Sequence, residues 1–314
     1  MQLYAELNLN DAEAGHLRDL AAPDDLWLAH AGRTTEADHA AFQAAEVAFG
    51  NVAPAWVADA PALRWLQLAA VGIDAYRGLN WDTLGQRLVC TNLRGVFSEP
   101  VAGTCLAGVL ALYRGLDRLI PCQADHAWQK LALRPTLRLL HGSRVVLVGA
   151  GTIAQRLHAL LVPFDCAITV FGQRSGHIHT LAELDAALAD ADIVCASLPE
   201  TDKTRGLFDG ARLARLKPGA VFVNVGRGSV VDETALVEAL RRGALGGAVL
   251  DVTQQEPLPP DHPLWTTPNT ILTQHTGGGS ADENSRITDF FATNLARYRR
   301  GEGLLNVVDW RKGY

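Results

Sequence analysis

From about residue 143 onward, short and nearly all-apolar runs alternate with stretches whose apolar positions recur at helical spacing. The apolar runs are "RVVLVGA", "CAITVFG", "DIVCASL", "AVFVNVG", "GAVLDV" and "TILTQHT". Between them lie "TIAQRLHALLVP", "LAELDAALADA", "DGARLARL" and "DETALVEALRRG". A strand with no polar face is covered on both sides, as in a parallel sheet, and this alternation predicts βαβ units wound on both faces of such a sheet. Pro163 and the basic, glycine-ended "RRG" after Leu240 read as helix endings.

The first 95 residues alternate more weakly, with apolar runs at "LWLAH", "AEVAFG", "LRWLQLAA" and "RLVCTN". They predict a second, smaller α/β unit. A long helix is expected to begin near Pro100, with Ser98 as its cap, and to run through "VAGTCLAGVLALYRGLDRL". Near the far end, Ser280 and Glu283 have capping-box spacing ahead of "ADENSRITDFFATNLARYRRG". A helix there could return to the first domain. The expectation is therefore a doubly wound dinucleotide-binding domain, residues 99–279, inserted into a smaller flavodoxin-like α/β domain built from residues 1–98 and 280–314.

Composition narrows the function classes. The 314 residues are 48% hydrophobic and 20% charged, enough apolar material for two substantial cores. A net charge of −6 offers no footprint for nucleic acid or an anionic membrane. No apolar run approaches the roughly 20 residues that span a bilayer, and the N-terminus does not read as a signal peptide. Cys90, Cys105, Cys122, Cys166 and Cys195 are scattered without a CxxC pair. They read as reduced cysteines of a cytoplasmic protein, with no metal site.

"VVLVGAGTIAQRL" carries the first chemistry. Gly149, Gly151 and Ala154 match G-x-G-x-x-G/A, with a strand before and a helix after. Gly149 permits the turn, Gly151 lets backbone approach a pyrophosphate, and Ala154 is small enough for close helix–strand packing. The amides near Thr152 and Ile153 would face the phosphates. After the next strand, an NAD-binding chain keeps an acidic residue for the ribose 2′-hydroxyl. Here the run is Gly172, Gln173, Arg174 and Ser175. Arg174 supplies donors for a 2′-phosphate, Ser175 adds a hydroxyl, and His177 or His179 could assist. NADP(H) is the expected cofactor, with NAD(H) as the alternative.

Three side chains fall at or just beyond the ends of later strands, where ligands bind in open α/β sheets: Arg227, Glu256 and His275. Hydride transfer to a ketone needs a proton donor, which a histidine oriented by a carboxylate supplies. An arginine grips the carboxylate of a 2-oxo acid in two places. Singly, each reads as an ordinary loop residue. Together they point to an oxidoreductase acting on a small 2-oxo or 2-hydroxy acid.

The chain here resembles the D-isomer-specific 2-hydroxyacid dehydrogenases over nearly its whole length. The resemblance rests on "VGAGTIAQRL", "SLPETDKTRGLF", "LKPGAVFVNVGRGSVVDETALVEAL", "GAVLDVTQQEPLPPDHPLW", "ILTQHTGG" and "APALRWLQLAAVGIDAY". It implies that Arg227 binds substrate carboxylate and carbonyl, that His275 is the acid/base paired with Glu256, and that the amides of Val71 and Gly72 hold the substrate carboxylate. It implies cofactor contacts at Thr104, Thr152, Ile153, Arg174, Leu198, Pro199, Thr204, Val225, Gly226 and Asp251, the last at the nicotinamide amide. It also implies a homodimer built around the helix from residue 100. The missing acid suggests the NADP-using glyoxylate/hydroxypyruvate reductase branch. Ala70 stands where members often carry a small polar residue. The family also includes a transcriptional corepressor and NAD-dependent phosphoglycerate dehydrogenases, the alternative readings. Trp81 and Trp265 are candidate pocket walls.

Overall fold

The structure is a computed structural model that describes residues 1–173 and 175–311. The chain divides into two compact units, residues 1–96 with 280–314, and residues 97–279.

The first unit is a five-stranded parallel sheet of β1 (Gln2–Glu6), β2 (Asp25–Ala29), β3 (Val47–Gly50), β4 (Trp65–Gln67) and β5 (Val89–Thr91). Its order, β2-β1-β3-β4-β5, is that of the flavodoxin-like sheets. Gln2–Glu6 is a strand that no apolar run of the sequence announces. Its polar ends, Gln2 and Glu6, hide an apolar centre that is buried because β1 pairs on both sides, with β2 and β3.

The helix Glu283–Arg299 closes this unit. Phe291 stacks on Phe49 at 4.6 Å and on Trp65 at 5.3 Å. Asn294, fully buried, donates to Gln67 Oε1 and to the Leu305 carbonyl, both at 3.1 Å. A buried amide with both bonds made fixes the helix in one register on the sheet. Ser280 and Glu283 do not form the expected capping box. Asp282 occupies the cap position with no side-chain capping bond, and the Glu283 amide donates instead to the Ser280 carbonyl at 3.1 Å.

The second unit is a six-stranded parallel sheet of β6 (Arg144–Val148), β7 (Ala167–Phe171), β8 (Ile193–Ala196), β9 (Val221–Asn224), β10 (Gly247–Leu250) and β11 (Thr270–Leu272), ordered β11-β10-β9-β8-β6-β7. Apolar cores cover both faces, as all-apolar strands require. Because β6 lies between β7 and β8, the chain leaves it in opposite directions, which makes a topological switch point beside the turn after β6. Each strand predicted for this unit is present.

The helix from residue 98 is shorter than expected. It spans Ser98–Tyr113 and stops before Gly115, whose φ of +68° is left-handed. A separate helix, Leu116–Ala124, follows. Ser98 is the first helical residue and not the cap, and its buried Oγ has no hydrogen-bond partner among the described residues. Gly108 lets this helix lie close on the sheet, since a Cβ there would come within 2.5 Å of Val249 Cγ1 on β10. Among the described residues no helix is long and apolar enough to cross a membrane.

Candidate active site

All six strands of the second unit run parallel, so the loops that follow them leave one edge of the sheet. The turn after β6 has the features of a phosphate cradle. Gly149 has φ +119°, and a Cβ on it would lie 2.8 Å from Ser197 Oγ. Gly151 occupies the cap position of the helix Thr152–Leu161 with no side-chain capping bond, and nothing lies within 4 Å of where its Cβ would be. The first-turn amides of Thr152 and Ile153 are thus left to an external acceptor beside open space, which suits a pyrophosphate. Ala154 is buried against the core, as its small size predicted.

After β7 the chain turns tightly. A Cβ at Gly172 would lie 2.2 Å from the Ser175 carbonyl oxygen, and Gly176 has φ +133°. His177 Nδ1 accepts the Val170 amide at 3.1 Å, and His179 Nδ1 lies 2.5 Å from the Gly172 carbonyl. Both imidazoles brace the loop through Nδ1. Ser175 is exposed, and Arg174 lies outside the described residues.

The loop after β8 carries Leu198 and Pro199. Thr204 closes it, donating to the Pro199 carbonyl at 2.7 Å and accepting the Thr201 amide at 2.8 Å. Its hydroxyl is therefore engaged in shaping the loop. This loop is tied to the next one. Ser229 Oγ donates to Glu200 Oε2 at 2.6 Å, and a Cβ at Gly226 would lie 2.4 Å from the Leu198 carbonyl oxygen.

Arg227 follows β9. The fully buried Asn224 sets its backbone, accepting the Gly226 amide at 3.1 Å and donating to the Arg227 carbonyl at 3.0 Å. Arg227 Nη1 donates to the Gly226 carbonyl at 2.7 Å. Val225, also buried, pairs its amide with the Ala196 carbonyl at 3.0 Å.

Asp251 follows β10 directly and is buried. Its Oδ1 accepts from Thr273 Oγ1 at 2.5 Å and from the Gly277 amide at 2.9 Å, which leaves Oδ2 to receive an amide donor. Thr104 Oγ1 donates to the Gly277 carbonyl at 3.3 Å, bringing the helix Ser98–Tyr113 to the same loop.

His275 Nδ1 and Glu256 Oε2 are 2.6 Å apart, and Glu256 Oε1 accepts the Thr253 amide at 3.0 Å. A carboxylate partner requires a proton on Nδ1, so Nε2 is the nitrogen that gains and loses the exchangeable proton. The imidazole keeps 54% side-chain exposure, enough for a substrate to reach it. Gln274 and His275 have φ of +52° and +57°. Two successive non-glycine residues in the left-handed region cost on the order of 1 kcal/mol or more each. The bond from the His275 amide to the Asp251 carbonyl, 2.6 Å, helps hold them there. Backbone strain has been accepted at the residue that presents the imidazole.

In the first unit, the loop of Val71 and Gly72 is pinned by buried Asn92, which donates to the Val71 carbonyl at 2.9 Å. The Leu93 amide donates to the Ala70 carbonyl at 3.0 Å. Val71 is exposed. Trp81 stacks on Trp310 at 3.7 Å against that unit's core, a packing role. Trp265 is partly exposed and donates to the Pro259 carbonyl at 2.8 Å. Asn92, Asn224 and Thr273 are not foreshadowed by the sequence. The two asparagines arrange backbone and Thr273 holds the Asp251 carboxylate, and only a polar residue inside an apolar run signals such a position in advance.

A sequence model described as "D-isomer specific 2-hydroxyacid dehydrogenase, NAD binding domain" matches residues 106–277. The chain is 32% identical, over 87% of its length and 88% of the relative's, to a glyoxylate/hydroxypyruvate reductase B of Pectobacterium carotovorum. It is 33% identical to a glyoxylate reductase of Thermofilum pendens, over 77% of this chain and 74% of that one. A crystal structure of a D-isomer specific 2-hydroxyacid dehydrogenase from Xanthobacter autotrophicus, in complex with NADPH and MES, superimposes with a TM-score of 0.83, at 28% identity and 99% coverage of both chains. The chain therefore belongs to the D-isomer-specific 2-hydroxyacid dehydrogenase family and is an NAD(P)-dependent oxidoreductase.

Proposed function

We propose that the protein reduces a small 2-oxo acid such as glyoxylate or hydroxypyruvate to the D-2-hydroxy acid, with NADPH preferred over NADH. The observation that carries this reading is the 2.6 Å pair of His275 Nδ1 and Glu256 Oε2 on the loop edge that also holds Arg227 and Asp251. The reduced nicotinamide supplies a hydride to the carbonyl carbon. Arg227 binds the carboxylate and polarises the carbonyl. His275, protonated on both nitrogens, gives its Nε2 proton to the substrate oxygen as negative charge develops there. Its Nδ1 proton stays on the ring and is donated in a hydrogen bond to Glu256, whose negative charge stabilises the imidazolium before transfer and orients the ring throughout.

The Gly149–Ile153 turn would hold the pyrophosphate, and Asp251 Oδ2 would accept the carboxamide of the nicotinamide. Thr104, Leu198, Pro199, Thr204, Val225 and Gly226 complete the cofactor surface. NADPH preference is supported by Arg174 and Ser175 where an acid would repel a 2′-phosphate, and by the NADPH held in the Xanthobacter relative. Five unpaired cysteines suit a reducing compartment, the cytoplasm. We further propose a homodimer. The segment around the helix Leu116–Ala124 leaves Ile120, Trp128, Leu131 and Leu139 64–90% exposed beside a groove of about 570 Å³. A second copy would cover these side chains, and Trp128→Asp should yield monomers in sedimentation.

The decisive assay is loss of nicotinamide absorbance with glyoxylate, hydroxypyruvate and larger 2-oxo acids under both reduced cofactors. A higher kcat/KM with NADPH is expected, and Arg174→Ala should weaken NADPH far more than NADH. Equal losses would remove Arg174 from the 2′-phosphate. His275→Gln should abolish turnover while nucleotide still binds, and near-normal turnover would end the proton-donor assignment.

A further inference from the structure

One buried acid in the second unit has no part in the reaction so far. Glu233 opens the helix Glu233–Arg241 and is only 5% exposed. Acids in the first turn of a helix are common, because they complement its dipole, but they do this at the surface. Here Asp232 already serves as the cap, accepting the Ala235 amide at 3.0 Å. Burying a carboxylate costs several kcal/mol unless its oxygens are satisfied. Burial pushes the Glu233 carboxyl above its ordinary range, and the nearby Glu256 charge adds to the rise.

Both oxygens face partners. Oε1 accepts the Gln254 amide at 2.6 Å, and Oε2 lies 3.5 Å from His262 Nε2. His262 Nδ1 accepts the Leu264 amide at 3.3 Å, so this ring carries its proton on Nε2, toward Glu233. Gln254 is held at a second point, its side-chain amide donating to the Val231 carbonyl at 2.6 Å. The peptide anchored in this way is next to the one that matters. The Thr253 amide donates to Glu256 Oε1, and Glu256 Oε2 holds His275 Nδ1. Two successive amides of one short loop thus address two carboxylates, a buried one and the one beside the imidazole.

We propose that Glu233 is a positioning residue for the reaction, fixing the Thr253–Gln254 peptide so that Glu256 is held against His275. The inference rests on the reading of His275 and Glu256 given above. Its geometry distinguishes Glu233 from an ordinary helix-start acid, because its acceptor oxygen serves a loop and not its own helix. His262 stands 3.5 Å from the other oxygen of the buried carboxylate.

The test is a double-mutant cycle on the full-length enzyme with NADPH and glyoxylate. Glu233→Ala should lower kcat about tenfold, with KM for NADPH changed less than about threefold. In a Glu256→Gln background, already slow, the same substitution should cost less than about twofold. Glu233→Gln retains an acceptor for the Gln254 amide and should restore kcat to within about threefold of wild type. Should Glu233→Ala fold poorly, Glu233→Asp withdraws the carboxylate by one methylene while keeping an acid at the helix start, and it should show the same dependence on Glu256. An equal loss in both backgrounds, or a Gln variant as slow as Ala, would overturn the proposal. Near-normal turnover of Glu256→Gln and His275→Gln alone would instead refute the acid/base reading, an outcome separate from the behaviour of Glu233.

Discussion

Gly228→Ala is the most direct probe of how the reacting groups are held. A Cβ at Gly228 would stand 2.0 Å from the Thr253 carbonyl carbon, 2.1 Å from its oxygen and 2.4 Å from the Gln254 nitrogen. All three are backbone atoms, so no side chain can swing aside. Ordinary contact begins at 3.4 Å, and the gap must widen from 2.0 Å to at least that. Neither side yields readily. Arg227 is fixed by Asn224, and Gln254 by Glu233 and Val231. Overpacking of this kind costs about 1–3 kcal/mol, a few degrees to about ten in Tm for a unit of this size. The functional loss should be larger. A misplacement of about 1 Å can cost roughly 100-fold in rate, and the displaced loop presents Glu256 while its neighbour carries Arg227. Stopped or steady-state reduction of glyoxylate at saturating NADPH should show kcat lowered about 100-fold. NADPH affinity by fluorescence should change less than about threefold, because the phosphate turn follows β6, two strands from β9. A kcat within about twofold of wild type would refute the claim that this contact sets the loop. Parallel loss of nucleotide binding would show that the disturbance is not confined to it.

Gly151→Ala should separate stability from cofactor binding. Nothing lies within 4 Å of the added methyl and φ is −79°, so calorimetry should find Tm unchanged or slightly raised, whereas NADPH affinity should fall about tenfold or more. Unchanged affinity would mean that no phosphate approaches this turn. Glu183 gives a pH prediction near the loop that follows β7. The amides of His179 and Thr180 and the Thr180 hydroxyl hold its carboxyl down to about 2 from an ordinary 4.5. A lowered carboxyl stabilises the fold above its unfolded value, and that contribution is lost as pH falls through the folded one. The Tm difference between wild type and Glu183→Ala should therefore be constant above about pH 5.5 and close between 4.5 and about 2. A gap that persists to pH 2 would contradict the assignment.

The proposed reacting groups stand out in the sequence because topology and composition both announce them. In a parallel sheet each all-apolar run delivers the residue after it to one edge, so Arg227 after "VFVNVG", Asp251 after "GAVL" and His275 after "TILTQ" declare their edge before any coordinates exist. Their supports follow no such rule. Asn224 sits inside a run that reads as buried strand, and its amide closes the turn behind Arg227. Glu233 sits where an exposed acid is the ordinary expectation. Gln2–Glu6 was missed for a related reason: a short strand with polar ends has too few alternations to distinguish it from a tail, and only pairing on both sides makes it central. Local chemistry misled at the helix starts as well. Ser98 and Ser280 have the composition of caps, yet one is drawn into the first turn and the other lies outside the cap position, its hydroxyl accepting from Arg286 Nη1, because tertiary packing sets where those helices begin. Selection on the reacting groups is thus selection on residue type at a strand end. Selection on their supports is selection on buried polar satisfaction, which becomes visible only once the partners have been brought together.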